Sequence, residues 1–154
     1  MTEIADHYKF YDPCPVINLI GGNSNKVGKL MAGLTRAAYN TRAIIVDSGL
    51  ETGVEQFCLR KNITLIGVAP EFMIELPKPN SELFSKKMLT NGHSHFILIG
   101  NNENKLTWGE ECKLKVNFIE RLMSGRKGYN YKCKTVGILM GNINGCENEI
   151  NYVS

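Results

Sequence analysis

The chain has 154 residues, 43% of them hydrophobic and 21% charged, with 18 basic and 15 acidic side chains and a net charge of +3. That length and composition suit one globular domain with a single core. The charge is too mild to drive binding to nucleic acid or to an anionic membrane, and no apolar run approaches the roughly 20 residues that span a bilayer.

The first twelve residues carry Glu3, Asp6 and Asp12 and have no apolar core of the kind a secretory signal needs. No arginine-rich transit peptide is visible. The five cysteines, Cys14, Cys58, Cys112, Cys133 and Cys146, are odd in number and form no C-x-x-C pair, so free thiols in a reducing compartment are expected. The expected location is intracellular, the cytoplasm first, with mitochondrial import by an uncleaved route still compatible.

Residues 1–15 read as an N-terminal arm, with Tyr8, Phe10 and Tyr11 available to pack on the domain or on a partner, and Pro13 and Pro15 closing it. Residues 16–20 form a first strand that ends at Gly21-Gly22. Residues 25–40 follow as a helix, with Val27, Leu30, Met31 and Leu34 in one stripe and Asn23 or Ser24 as cap. The run Ala43-Ile44-Ile45-Val46 within 42–47 has no polar break, as in a parallel strand buried on both faces. Thr52 and Glu55 make a T-x-x-E capping box, and Val54, Phe57 and Cys58 share a helix face. Residues 63–69 are a third strand. Strand, glycine turn, helix and strand make a βαβ unit from Arg42 to Pro70.

The stretch 71–92 is long for a connection and is expected to act as a binding loop or lid, with Leu83, Phe84, Met88 and Leu89 forming a docking helical turn. Residues 93–99 are a fourth strand and 100–106 a polar loop. The longest helix covers 110–123, with Cys112, Val116, Ile119 and Met123 on its apolar stripe. A basic turn region spans 125–132. Residues 134–140 form the last strand, ended by Gly141. A polar tail, 142–154, has Ile143, Ile150 and Val153 as anchors. The fold class is α/β: a Rossmann-like three-layer domain over 16–141, with a mainly parallel five-stranded sheet. Its expected strand order is 3-2-1-4-5. The strands end at Gly21, Gly49, Ala69, Gly100 and Gly141, on one edge of such a sheet. Ligands of open α/β sheets bind beyond that edge.

With these segments in order, the chain resembles the SLOG superfamily, the Rossmann-like domains named after DprA/Smf and LOG proteins. The branch it is most similar to is the one found at the N-terminus of TRPM channels and as stand-alone bacterial proteins. The matching residues are Gly21-Gly22, Val46-Asp47-Ser48-Gly49 through Thr52-Gly53-Val54, Ile66-Gly67-Val68-Ala69-Pro70 and Gly92-His93-Ser94-His95-Phe96-Ile97-Leu98. Trp108-Gly109-Glu110-Glu111 and Ile138-Leu139-Met140-Gly141-Asn142 complete the set. The resemblance runs over about 16–150 and implies a domain for nucleotide-derived ligands such as ADP-ribose or a nucleoside phosphate. Its LOG branch implies N-glycosidic hydrolysis of nucleoside monophosphates.

The family turn is usually Asp-Gly-Gly-Thr-x-x-Gly-Val-Met. Here Ser48 replaces a glycine, Leu50 the threonine and Glu55 the methionine. A phosphate would compete with the carboxylates of Glu51 and Glu55 at that helix start, so the pocket reads as altered. Trp108-Gly109-Glu110-Glu111 stands where LOG enzymes carry G-T-x-x-E. There Glu111 can contact a ribose hydroxyl or stabilise an oxocarbenium ion, or Glu110 and Glu111 simply complement the helix dipole. Trp108 can stack on a base or sit in the core.

His93 and His95 alternate on a strand and are expected on one face, as a ligand-contacting pair or as hydrogen-bonded edge residues. No metal is expected, since only Glu111 or Cys112 offers a third ligand. The cysteines read as packing residues, and the basic cluster of Arg121, Arg126, Lys127, Lys132 and Lys134 as a solvated or docking surface.

The expected contact set is Gly21, Gly22, Ser48, Gly49, Thr52, Gly53 and Pro70, with His95, Trp108, Gly109 and Glu111 opposite. Glu111 is the catalytic residue if the domain is a hydrolase. The first reading is a non-catalytic ligand-binding domain, carrying a nucleotide or ADP-ribose-like molecule. The alternatives are an accessory subunit with a degenerate pocket, in a larger assembly or a homo-oligomer, and a LOG-like N-glycoside hydrolase. Nucleic acid is not expected as a partner.

Overall fold

The computed structural model describes residues 2–22, 28–50, 62–75, 87–89, 92–100, 105–141 and 147–153. Five strands form one parallel sheet: β1 (Val16–Gly22), β2 (Ile44–Asp47), β3 (Leu65–Pro70), β6 (His95–Ile99) and β7 (Thr135–Gly141). A separate two-stranded parallel pair, β4 (Ile74–Glu75) and β5 (Lys87–Met88), follows a 3-10 turn over Glu71–Met73. The helices are α1 (Thr2–His7), α2 (Gly28–Thr41), α3 (Cys112–Ser124) and α4 (Glu147–Val153). No helix among the described residues is long and apolar enough to cross a membrane.

The side chains of each strand alternate between two faces, and each face has its own core. On one face Val16, Ile44, Val46, Ile66, Val68, Ile97 and Ile99 pack against Phe118, Ile119 and Leu122 of α3 and Ala5 of α1. On the other Ile17, Leu19, Ile45, Leu65 and Met140 pack against Met31 and Ala38 of α2. Strands buried on both faces explain the unbroken apolar run at 43–46.

The strand order is β6-β3-β2-β1-β7, which corrects the expected 3-2-1-4-5. The fourth sheet strand continues outward beside β3, from Ile66↔His95 to Pro70↔Ile99. The right-handed crossover rule fixes which face a connecting helix takes, not which edge the next strand joins. Here the chain winds one way from β1 to β6, then crosses back by α3 to pair β7 with β1. The return runs in the opposite sense, so α3 lies on the face opposite α2, as the two cores show.

Two helix stripes also differ. Leu30 is 53% exposed, and α2 turns Met31, Thr35 and Ala38 inward. On α3 the buried residues are Cys112, Lys115, Phe118, Ile119 and Leu122, so the stripe passes through a lysine. The expected helix at 52–58 and the helical turn at 83–89 fall wholly or largely outside the described residues. The arm is docked: the Arg121 guanidinium donates to Asp6 at 3.0 Å, and the Arg126 amide donates to the Tyr11 carbonyl at 2.7 Å.

β2 and β3 come unusually close where β2 ends. A Cβ on Gly67 would stand 2.6 Å from the Gly49 Cα and 2.8 Å from the Phe96 ring. Gly49 itself has φ of 69°, the left-handed region. Gly67→Ala is therefore expected to lose about 1–3 kcal/mol through overpacking. Urea denaturation checks this: the midpoint should fall at an unchanged m-value, and an unmoved midpoint would contradict the packing.

Candidate functional site

The carboxyl ends of the strands bring most of the sequence-derived residues to one edge. Ser48 and Gly49 follow β2, Pro70 ends β3 and Gly21-Gly22 end β1. Gly21 has φ of 89°, so it turns as few side-chain-bearing residues can. In register, Gly21 lies beside Met140 and Gly22 beside Gly141 of β7. Thr52 and Gly53 lie outside the described residues.

The turn after β2 is held by one carboxylate oxygen. Asp47 Oδ1 accepts the Gly49 N–H at 2.7 Å and lies 2.7 Å from His93 Nε2. The His93 side chain is fully buried, and its ring lies 5.0 Å from that of Phe96, which covers Gly49 and Gly67. His93 and His95 therefore do not share a face. The strand begins only at His95, so the alternation that would align them is broken. His95 packs edge-on under Tyr8 and Phe10 of the arm, at centroid distances of 4.6 and 5.6 Å, and burial lowers its pKa. It sits at the amino end of β6, away from the other candidate residues. Cys112 starts α3 at the opposite edge and is buried, as its place on the apolar stripe implies. Burial pushes the Cys14 thiol up to about 12, which leaves it protonated and unreactive.

Leu50 is buried and packs with Ala69 and Ile74, and Trp108 closes over that cluster with Leu89 and Leu98. The indole is thus a half-buried wall above the ends of β2 and β3. Glu110 and Glu111 divide their work. Glu110 Oε2 accepts the N–H and O–H of Thr107, at 2.5 and 2.9 Å, and these bonds hold its pKa low. Glu111 Oε2 accepts the Gly109 N–H at 2.7 Å. Burial raises the Glu111 pKa against the opposing pull of that hydrogen bond and of Lys115.

A buried polar cluster underlies this region, and it was missed from the sequence. Lys115 is 2% exposed and Asn18 1%. Glu149 Oε1 lies 2.5 Å from Lys115 Nζ and accepts the Asn18 Nδ2 at 3.2 Å. One oxygen thereby joins α3, β1 and α4. Asn18 Oδ1 has no hydrogen-bond partner among the described residues. A signal was present: Asn18 is the one polar residue in Val16-Ile17-Asn18-Leu19-Ile20, and Lys115 falls between Cys112 and Ile119 on the apolar stripe. What could not be seen was that Glu149, 34 residues on from Lys115, supplies the counter-charge.

The cluster also locates Glu111. Helix α3 returns the chain from the carboxyl edge to the amino edge, antiparallel to β1. Glu111 is one turn, about 6 Å, back from Lys115, and Gly21 is about 10 Å on from Asn18. Both displacements point to the same edge, so Glu111 and Gly109 face the end of β1. Among the described residues no group of three or more His, Cys, Asp or Glu is placed to hold a metal.

A family model described as "SLOG in TRPM, prokaryote" matches residues 14–153, nearly the whole chain. The chain belongs to this family. No curated protein shows a significant match. The matched span takes in α4, and the Lys115–Glu149 pair shows how α4 is anchored.

Two predictions follow from the charges of this SLOG domain. Glu149→Ala strands the Lys115 ammonium in the interior and should cost about 3–5 kcal/mol, whereas Lys115→Met with Glu149→Leu should recover the part owed to the stranded charge, with only the Asn18 amide left without its acceptor. Chemical denaturation of the three proteins decides it; a double variant as unstable as the single one would refute the account. Glu111 binds its proton more tightly in the folded state than at its ordinary value of 4.5. Its contribution to stability therefore falls as pH rises from about 4.5 through the raised value. Glu111→Gln keeps an acceptor for Gly109 and removes the ionisation. Its Tm relative to wild type should rise across that window and the difference should shrink below it; parallel Tm–pH curves would contradict this.

Proposed function

We propose that this SLOG domain binds a nucleotide-derived ligand, ADP-ribose-like or a nucleoside phosphate, without turning it over. The observation that carries the reading is the reversal of strand order at β1. Its neighbours β2 and β7 are reached by crossovers on opposite faces, and in open α/β sheets ligands bind where such crossovers diverge, which here is beyond Gly21 and Gly22. A phosphate or diphosphate would lie against the backbone at Gly21 and Gly22, where a side chain would obstruct it. Glu111 would face a ribose hydroxyl, and the Trp108 wall would border the base. A non-catalytic role is favoured because the Glu111 carboxylate already accepts the Gly109 N–H and the hydroxyl expected at position 50 is a leucine.

A second reading rests on that leucine. Leu50 is 4% exposed, in contact with Ala69 and Ile74. A side chain drawn into the core where the family has a phosphate-binding threonine suits an accessory subunit whose pocket is degenerate.

Titration calorimetry with ADP-ribose and with AMP separates the two. Under the first reading one of them binds, and Gly22→Val weakens it at least about tenfold with little change in Tm. Absence of heat with both ligands would favour the degenerate pocket. Chromatography of the AMP mixture tests the third class: release of adenine that Glu111→Gln abolishes would establish a hydrolase and overturn the non-catalytic reading.

A further inference from the structure

Among the described residues, strand β7 forms one margin of the sheet and is bonded on one side only, to β1. An open edge is a row of unpaired backbone donors and acceptors, and proteins usually blunt it with charge, proline or a bulge. The sequence Thr135-Val136-Gly137-Ile138-Leu139-Met140-Gly141 has none of the first two, and its ladder with β1 runs without interruption through all seven residues. Val136 is 57% exposed and Leu139 47%. The opposite margin differs: β6 has five residues, none fully exposed, and the arm's aromatic rings pack on His95 at its start.

We propose that β7 is a homodimer interface, in which two copies pair their β7 strands antiparallel about a two-fold axis at Ile138 and continue the sheet to ten strands. The occupant is a second copy because the edge complements itself. With Ile138 opposite Ile138, Gly137 lies opposite the other copy's Leu139, and directly opposed residues share a face. The space above Gly137 is open, with no atom of the described residues within 4 Å of where a Cβ would stand. Each exposed Leu139 therefore covers the other copy's bare glycine, twice by symmetry.

Charge selects the antiparallel sense. Lys132 and Lys134 lead into β7, with Arg126 and Lys127 before them, and all four are exposed. Parallel pairing would set the two basic flanks side by side. Antiparallel pairing sends them to opposite ends of the seam.

Light scattering on the full chain over a concentration series tests this. Wild type should show twice the chain mass, and Val136→Lys with Leu139→Lys should show the monomer mass at an unchanged far-UV circular dichroism spectrum. The register has its own test. Ile138→Cys brings two Cβ atoms to about 5 Å across the axis, near disulfide reach. A covalent dimer should form under mild oxidation that wild type does not form. Should I138C fold poorly, G137C/L139C places both thiols at exposed positions and reports the same register. A wild type that stays monomeric up to its solubility limit would overturn the proposal. So would a dimer that survives both lysine substitutions, or one in which neither cysteine variant cross-links.

Discussion

The ammonium of Lys115 is the constraint to which the α3 side of the sheet answers. A charge so deeply buried must find a partner with good geometry, because its desolvation otherwise outweighs what packing around it can supply. Glu149 provides that partner, and the same oxygen holds Asn18 in the middle of β1. The result fixes α3 in rotation and in height. With Lys115 turned to β1, Cys112, Ile119 and Leu122 also face the sheet, and Glu111 is carried to the carboxyl edge. It binds α4 as well, so the last described helix belongs to the domain energetically and not only by sequence match.

Asp47 does the corresponding work on the other face. Its carboxylate would repel a bound phosphate if it faced one unpaired. Instead it closes the Ser48-Gly49 turn and meets a buried histidine. Gly49 and Gly67 then approach within backbone contact, and the Phe96 ring lies across both. The departures from the family turn are thus part of a locally consistent packing: Ser48 tops the turn, and Leu50 enters the small core under Trp108.

These two clusters frame the functional question. Membership of the SLOG family and the reversal of strand order at β1 both direct attention to Gly21 and Gly22 at the end of β1. What the family turn would add, a hydroxyl and an open helix start, is replaced at position 50 by an apolar contact. Binding at this edge would therefore rely on backbone donors near β1 and on Glu111 more than on the second turn. That distribution suits a domain that holds a ligand better than one that drives bond cleavage.

Much of the fold was legible because strands buried on both faces leave an unmistakable trace. Ala43-Ile44-Ile45-Val46 and Leu65-Ile66-Gly67-Val68-Ala69 cannot be amphipathic, and the small residues that end them marked the carboxyl edge of the sheet in advance. The motif order was enough to suggest the SLOG family. The strand order was not legible, since handedness constrains a crossover's face and leaves its direction free. The pairing of His93 with Asp47 was hidden by the two-residue delay before β6 begins. Lys115 was hidden by its charge, which ordinarily marks a solvent-facing position even on an apolar stripe. Local pattern thus determined which segments are strands and helices and where they stop. Only tertiary structure decided which distant groups neutralise one another, because a buried charge is settled by a partner the chain supplies from far away.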